Sequence, residues 1–440
     1  MPRYASLSSL FLVLVIVGCS ERPTGPPAPN VLSPTSTVST KVERATTADL
    51  ATVIWEAKAG QLAASRNTSP IVAARAYALL ALAQYGAVVA ADADGNRDAD
   101  DEKSHNSRQL GFDVRRGAVA AASAQVLKYA FPLDAAQITV ELTSEAGAGT
   151  AEAQRQFASG ATIGLSIGGA LVQRGVADGF ANADVARTPK VWDPASYPVG
   201  PNIWAMDIDA SPHVPAGFQF PSMRPYFLLT AHQFRSPPPP TDLTAGLNDV
   251  LDVLSARTLA QENIAKFWNL TNGTVTALGY WDQQAAAYIA EYRLDERAAA
   301  HVFALVNAAA MDAVIGCWDA KYKYLVLRPW MVSPLAFPRV KLIIGRPNHP
   351  SYPSGHSCVS SASATVLKRF FPEKKATLDQ QVAEAGMSRI YAGIHYAFDV
   401  EEGRKLGQSV ARWAIRYDRK RGLLAAVLPT IRDGDRDDHR

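Results

Sequence analysis

The sequence predicts an all-α protein made of two successive helical bundles. Three observations carry that expectation. Alanine-rich apolar stretches recur with helical spacing, while strand-like alternation is scarce. Ser69-Pro70 and Pro353-Ser354-Gly355 have the chemistry of helix starts, a capping hydroxyl next to a residue suited to the first turn. A proline- and aromatic-rich segment, residues 181–242, divides the helical stretches into two groups. The chain has 440 residues and a formal net charge of +3. That length allows a large core and one to three domains. Neither the charge nor any basic-aromatic pattern makes a case for nucleic acid.

Taken in order, residues 1–18 read as an export signal. Arg3 supplies the positive start, and Leu7 to Val17 is an apolar run too short for a confident membrane span. Ile16-Val17-Gly18-Cys19 is similar to a bacterial lipoprotein cleavage box, which makes Cys19 a lipid-bearing terminus. Ser20 in the next position, rather than Asp, resembles outer-membrane sorting. The expected location is therefore the cell envelope, with a lipid anchor as the only membrane attachment. Residues 19–43 are rich in Pro, Ser and Thr and form a tether.

The first bundle spans 44–180. Helices are expected from Ala48 to Ser65, from Pro70 to about Ala91, and over 113–130, 134–146 and 152–174. The polar stretch Asp92 to Gly111 reads as a loop. Gly164, Gly168 and Gly169 leave a small-residue face for close helix packing. Residues 181–242 are a belt that either walls a pocket or connects the bundles. The second bundle, 243–418, is expected to hold helices over 243–270, 276–293, Asp295 to Tyr322, 355–371, 377–394 and 399–418. Residues 419–440 read as a charged, frayed tail. Cys317 and Cys358 flank the motifs below and are either buried thiols or, in an exported protein, a bridge.

Three motifs lie in the second bundle. Lys321 is followed seven residues later by Arg328-Pro329, so the two cations share a helical face or Arg328 closes the helix. Pro353-Ser354-Gly355-His356 opens a helix, where backbone N–H groups of Ser354, Gly355 and His356 favour an anion. Ser388-Arg389 precedes His395, which is four residues from Asp399. In a helix that spacing lets the carboxylate orient the ring. Each motif alone suits a solvated face, an ordinary helix start or a surface pair. Together they supply cations, backbone donors and an oriented imidazole, the parts needed to hold a tetrahedral oxyanion.

Lys-x6-Arg-Pro, Pro-Ser-Gly-His and Ser-Arg-x5-His-x3-Asp together resemble the type 2 phosphatidic acid phosphatase and vanadium haloperoxidase superfamily. The resemblance implies that Lys321, Arg328, Ser354, Gly355, His356 and Arg389 surround vanadate or phosphate. It makes His395 the vanadium ligand or the phosphatase nucleophile, and His356 the acid–base group. Asp399 would orient His395. Trp318, and His349-Pro350-Ser351-Tyr352 leading into the second motif, look like the haloperoxidase branch. A His at position 349 resembles bromide-using enzymes. The helical first half and Phe234-Arg235 are similar to bacterial haloperoxidase-like proteins. The implied function is a vanadate-dependent haloperoxidase using hydrogen peroxide and halide, with bromide favoured. An acid phosphatase acting on phosphate esters is the alternative, and an oxyanion-binding lipoprotein without turnover is a third possibility.

Overall fold

The alanine-rich periodicity forms helices wherever an apolar face can be buried. The computed structural model describes residues 50–98, 105–180, 203–206, 215–218, 220–332, 335 and 338–428. Cys19, the export signal and the tether lie outside these residues. The first group of helices is α1 (Ala51–Ser65), α2 (Pro70–Asp98), α3 (His105–Ala130), α4 (Ala135–Ala146) and α5 (Ala151–Val176). The second is α6 (Thr244–Ser255), α7 (Leu259–Phe267), α8 (Thr276–Tyr292), α9 (Glu296–Tyr324), α10 (Gly355–Phe370), α11 (Lys375–Tyr391) and α12 (Ala397–Arg421). No strand occurs among the described residues; a single antiparallel bridge joins Ile203 to Val326. The protein is all-α.

α9 is the axis of the core. Asp295 caps it by accepting from the Ala298 N–H at 2.8 Å, and nearly every residue from Val302 to Tyr322 is buried. It packs against α2 of the first group and against α8, α10 and α12 of the second. The two bundles therefore share one core within residues 45–440. Glu296, at the start of α9, also accepts from the Ala51 and Thr52 N–H groups at 3.0 and 2.7 Å and so caps α1. α2 and α9 are long and apolar enough to cross a membrane, but 89% of each apolar window is buried inside the protein.

The small-residue face of α5 packs on α3 through Gly164 and Gly168, joined by Gly160, whereas Gly169, expected on the same face, meets nothing within 4 Å. A Cβ on Gly160 would lie 1.9 Å from the Val114 carbonyl oxygen, and one on Gly164 would lie 2.1 Å from that of Ala118. Only glycine lets α5 and α3 come this close. In the belt, the N–H groups of Tyr226, Phe227 and Leu228 all donate to buried Asp312 of α9, at 2.7, 2.7 and 3.0 Å. Arg235 pairs with Asp319, two helical turns further along α9. The described part of the belt is thus fixed to the helix that carries Lys321.

Several boundaries differ from the sequence expectation. The polar stretch 92–111 is largely helical: α2 continues to Asp98 and α3 begins at His105, with 99–104 outside the described residues. Asp92 explains part of this, because it pairs with Arg115 of α3 and Arg297 of α9 and so holds the polar end of α2 in place. The helix expected over 243–270 is two helices. Thr258 breaks it by forming a capping box with Gln261. The tail is not frayed at 419: α12 runs to Arg421, and Leu423 and Leu424 are fully buried. Trp192 and residues 429–440 fall outside the described residues.

Candidate active site

The last turn of α9 supplies Lys321. Its ammonium is fully buried and donates to the Pro350 and Ser351 carbonyls, both at 2.8 Å. The helix then stops, because Leu325 adopts a left-handed conformation with φ 49°. Arg328 therefore neither shares a helical face with Lys321 nor closes the helix. It lies beyond the end in extended backbone, φ −74° and ψ 156°, held there by Pro329. Its guanidinium donates to the His349 carbonyl at 3.1 Å and the Ile394 carbonyl at 2.6 Å. Nη1 is 3.1 Å from His395 Nε2, and Nη2 is 3.2 Å from His349 Nδ1.

Ser354 caps α10, its hydroxyl accepting from the Ser357 N–H at 3.5 Å. Its own N–H donates to the Asp399 carbonyl at 2.9 Å, so only the Gly355 and His356 amides of the expected three remain for an anion. Gly355 sits under the Trp318 ring. A Cβ there would be 3.3 Å from two ring carbons, tighter than ordinary packing. The buried His356 Nε2 has no hydrogen-bond partner among the described residues. Burial, then the positive Arg389, hold this imidazole well below its ordinary pKa.

Arg389 is buried in the last turns of α11. It donates to Ser388 Oγ at 2.9 Å and to the Ala265 carbonyl at 3.2 Å. His395 and Asp399 are not on one helical face, as the four-residue spacing suggested. His395 precedes α12, whose N-cap is Tyr396. Asp399 reaches back from the first turn, where its Oδ2 accepts from the Tyr396 N–H at 3.1 Å and meets His395 Nδ1 at 2.7 Å. Ser351 Oγ donates to the same oxygen at 2.5 Å. The carboxylate accepts from Nδ1–H, which leaves the lone pair on Nε2, where Arg328 donates to it. Burial and then Arg328 keep His395 neutral, well below its ordinary pKa. Burial pushes Asp399 up to about 6, against the Ser351 hydrogen bond and the charge of Lys321.

Ser351 was not singled out from the sequence as a site residue, although it stands in the quoted His349-Pro350-Ser351. No spacing rule connects it to Asp399, 48 residues away. The other wall is aromatic. His349 packs on Trp318 with ring centroids 5.1 Å apart, and Trp318 Nε1 donates to the Ala216 carbonyl at 2.9 Å. The belt thus walls the pocket through Ala216. Cys317 and Cys358 are buried free thiols, and Cys317 Sγ lies 3.7 Å from the Pro353 carbonyl.

A cavity of about 350 Å³ brings these pieces together. Its lining includes Trp318, Arg328, His349, Gly355, His356, Arg389 and His395. Lys321, Ser354 and Asp399 stand behind that wall. Burial depresses all three cations: Lys321 to about 8, Arg328 to about 10 and Arg389 to about 9. Their hydrogen bonds go to carbonyls, a hydroxyl and imidazole nitrogens, not to carboxylates. Buried positive charge without matching negative charge is costly. A tetrahedral oxyanion would supply the missing charge and accept from Arg328, Arg389, His356 and the α10 amides.

Residues 298–423 match the PAP2 superfamily. This stretch is a PAP2 superfamily domain. All three motifs fall inside it. The chain is 32% identical, over 114 residues, to a non-specific acid phosphatase of Providencia stuartii, covering 26% of this chain and 46% of that protein. A non-specific acid phosphatase of Salmonella typhi is 32% identical over 103 residues, covering 23% and 41%. The match spans less than half the length of these curated relatives. Solved structures extend the likeness beyond the PAP2 domain. A bacterial vanadium-dependent iodoperoxidase superposes with TM-score 0.70 at 21% identity, covering 86% of this chain and 97% of that one. A bacterial vanadium-dependent chloroperoxidase gives 0.63 at 14% identity, covering 81% and 94%. The shared fold therefore includes the first bundle. The site residues lie within the stretch that matches the PAP2 superfamily, and the fold as a whole is that of the two solved vanadium-dependent peroxidases.

Proposed function

We propose that this protein is a vanadate-dependent haloperoxidase that oxidises bromide with hydrogen peroxide. The observation that carries the reading is the state of His395: a neutral imidazole, its Nδ1 on Asp399 and its Nε2 lone pair facing a cage of buried cations. That donor fits vanadate, because a neutral ring nitrogen is a good metal ligand and Asp399 fixes the ring from behind. Vanadate, when bound, activates peroxide so that halide is oxidised to hypohalous acid.

The residues of this chain do the rest. His395 Nε2 would hold vanadium, and Arg328, Arg389 and the Gly355 and His356 amides would hold its oxygens. Lys321 fixes the Pro350–Ser351 backbone and adds positive charge from behind. Halide oxidation consumes a proton, and His356 is placed to relay one once a bound oxyanion offsets the charge of Arg389 and lets the ring take up a proton: its unpartnered Nε2 belongs to a side chain that lines the cavity. Such general-acid help is worth roughly a hundred- to ten-thousand-fold.

The acid phosphatase reading is favoured by one observation, the 32% identity of about a quarter of the chain to non-specific acid phosphatases. There His395 Nε2 attacks phosphorus and His356 protonates the leaving oxygen. The extent of the fold likeness, 97% of the iodoperoxidase, and the Trp318–His349 wall support the peroxidase reading instead. The test assays the purified protein with and without added vanadate, using bromide or iodide with peroxide and, separately, an aryl phosphate. Vanadate-dependent halide oxidation is expected. Phosphate release with no vanadate-dependent oxidation would overturn the proposal. His395→Ala removes the ligand or nucleophile and is expected to abolish either activity.

A further inference from the structure

The cavity holds more than the cage requires, and beside polar groups such as Asn269, Thr271 and Asn348 its remaining lining includes an apolar wall. Ile71 and Ala74 reach it from the first turns of α2, Leu278 from α8, Val314 from α9 and Val359 from α10. Val314 is one turn before Trp318 and Val359 one turn beyond Gly355, so the apolar wall starts beside the cage. All five side chains face the cavity yet are otherwise at most 9% exposed. None has a role in the chemistry above. Halide, peroxide and phosphate are well hydrated and gain nothing from such a wall, and water is held poorly against apolar side chains. An apolar cavity of about 150 Å³ already takes up benzene. About 350 Å³ therefore accommodates an oxyanion and a ring side by side.

We infer that the apolar end binds a ring-sized apolar group of an organic substrate, with the reacting atom turned towards Arg389 and His395. The inference rests on the proposed function and names its substrate class. In the peroxidase the ring belongs to a separate acceptor. Its C–H bond breaks and a C–halogen bond forms, while the hydroxide of hypohalous acid and the released proton leave as water. In a phosphatase the ring is the organic part of the ester. Both sources need the same surface. The ring is held by α2 and α8, which bring parts of both bundles to one pocket.

Calorimetry on the vanadate-free protein tests this without turnover, using inorganic phosphate, methylphosphonate and phenylphosphonate. Phenylphosphonate is expected to bind about tenfold or more tighter than methylphosphonate, the gain from burying a ring. Equal affinities would overturn the inference and leave the cage standing. No binding of any of the three would remove the cage and the inference with it. Ile71→Asn and Ala74→Leu are expected to erase the phenyl preference while phosphate binding stays unchanged. That unchanged binding also shows that each variant folds. A phenyl preference that survives both substitutions would overturn the placement on α2. The source is read from turnover: in Ile71→Asn the KM rises for a ring-bearing halogen acceptor if the acceptor uses the wall, or for an aryl phosphate if the ester does. If neither KM rises, the inference fails.

Discussion

Glu56 and Asp282 are buried together without a cation, whereas Lys321, Arg328 and Arg389 are buried with one carboxylate, Asp399, among them. The acid pair lies between α1 and α8. Asn307 donates to Asp282 Oδ1 at 2.8 Å, while Asp282 Oδ2 and both Glu56 oxygens lack partners among the described residues. Burial pushes Asp282 up to about 8, and burial and then Asp282 raise Glu56. Near neutral pH these groups take up protons and shed their charge. The guanidinium groups at about 9 and 10 cannot lose theirs there. Both clusters have an excess of one sign, but the acids relieve it alone and the cations require a guest. The difference explains why only one of the two is read as a binding site.

The largest expected effect removes a cation from the cage. Arg389→Met takes away a donor aimed into the cavity, and loss of such a donor costs on the order of 10²–10³ in rate. Turnover, measured as halide oxidation or phosphate release, is expected to fall by that factor. Melting temperature in anion-free buffer is expected to hold or rise, because the buried guanidinium has no carboxylate partner to lose. Wild-type protein is expected to gain stability when phosphate is added, about 2.7 kcal/mol at a hundred times the dissociation constant, and the variant less. A variant that melts lower but turns over normally would make Arg389 a structural residue.

The second effect belongs to the acid pair and is one of stability. A carboxyl whose folded pKa is raised contributes stability that is complete below its unfolded value near 3.8 and is lost as pH rises through about 8. Asp282→Asn keeps an acceptor for Asn307 and cannot ionise. It is expected to be near neutral for stability at pH 4 and to gain about 1–3 kcal/mol at pH 8, the cost of an unsatisfied buried group. Thermal unfolding at the two pH values measures this. Equal shifts at both would show that ionisation of Asp282 plays no part.

The cage was legible in the sequence because its residues are types that burial tolerates only for a reason. Lys321, Arg328, Arg389 and His395 all stand in the three motifs, and the structure buries all four about one cavity or directly behind it. What the sequence hid was how the chain delivers them. Seven-residue spacing and Pro329 suggest either a shared helical face for Lys321 and Arg328 or a helix closed by Arg328, but Leu325 turns left-handed and ends the helix between them. Four-residue spacing suggested a helical His395–Asp399 pair, yet the contact forms across an N-cap. Ser351, Ala216 and the apolar wall reach the site by tertiary packing, which no local pattern encodes. The helical class followed from periodicity, whereas the ends of α2 and α3 depend on Asp92 meeting Arg115 and Arg297.

Lys321 gives the smallest and sharpest effect, since it is the one cage cation that can discharge close to neutral pH. Burial lowers its pKa from 10.5 to about 8. Below that the ammonium is charged and supports an anion; above it, binding requires a proton to be taken up first. The phosphate dissociation constant is therefore expected to rise by up to about fivefold between pH 8 and pH 9. Asp399 at about 6 has already lost its proton, His356 and His395 are neutral throughout, and Arg389, at about 9, adds no more than about a twofold rise by the upper limit. Lys321→Met is expected to bind phosphate more weakly at pH 7.5 but with little further loss up to pH 9. Calorimetric titrations of both proteins across this range decide the matter. A wild-type affinity that stays level would mean that Lys321 keeps its charge through its bonds to Pro350 and Ser351. The cage would then resemble the acid pair in no respect, with every one of its cations permanently charged.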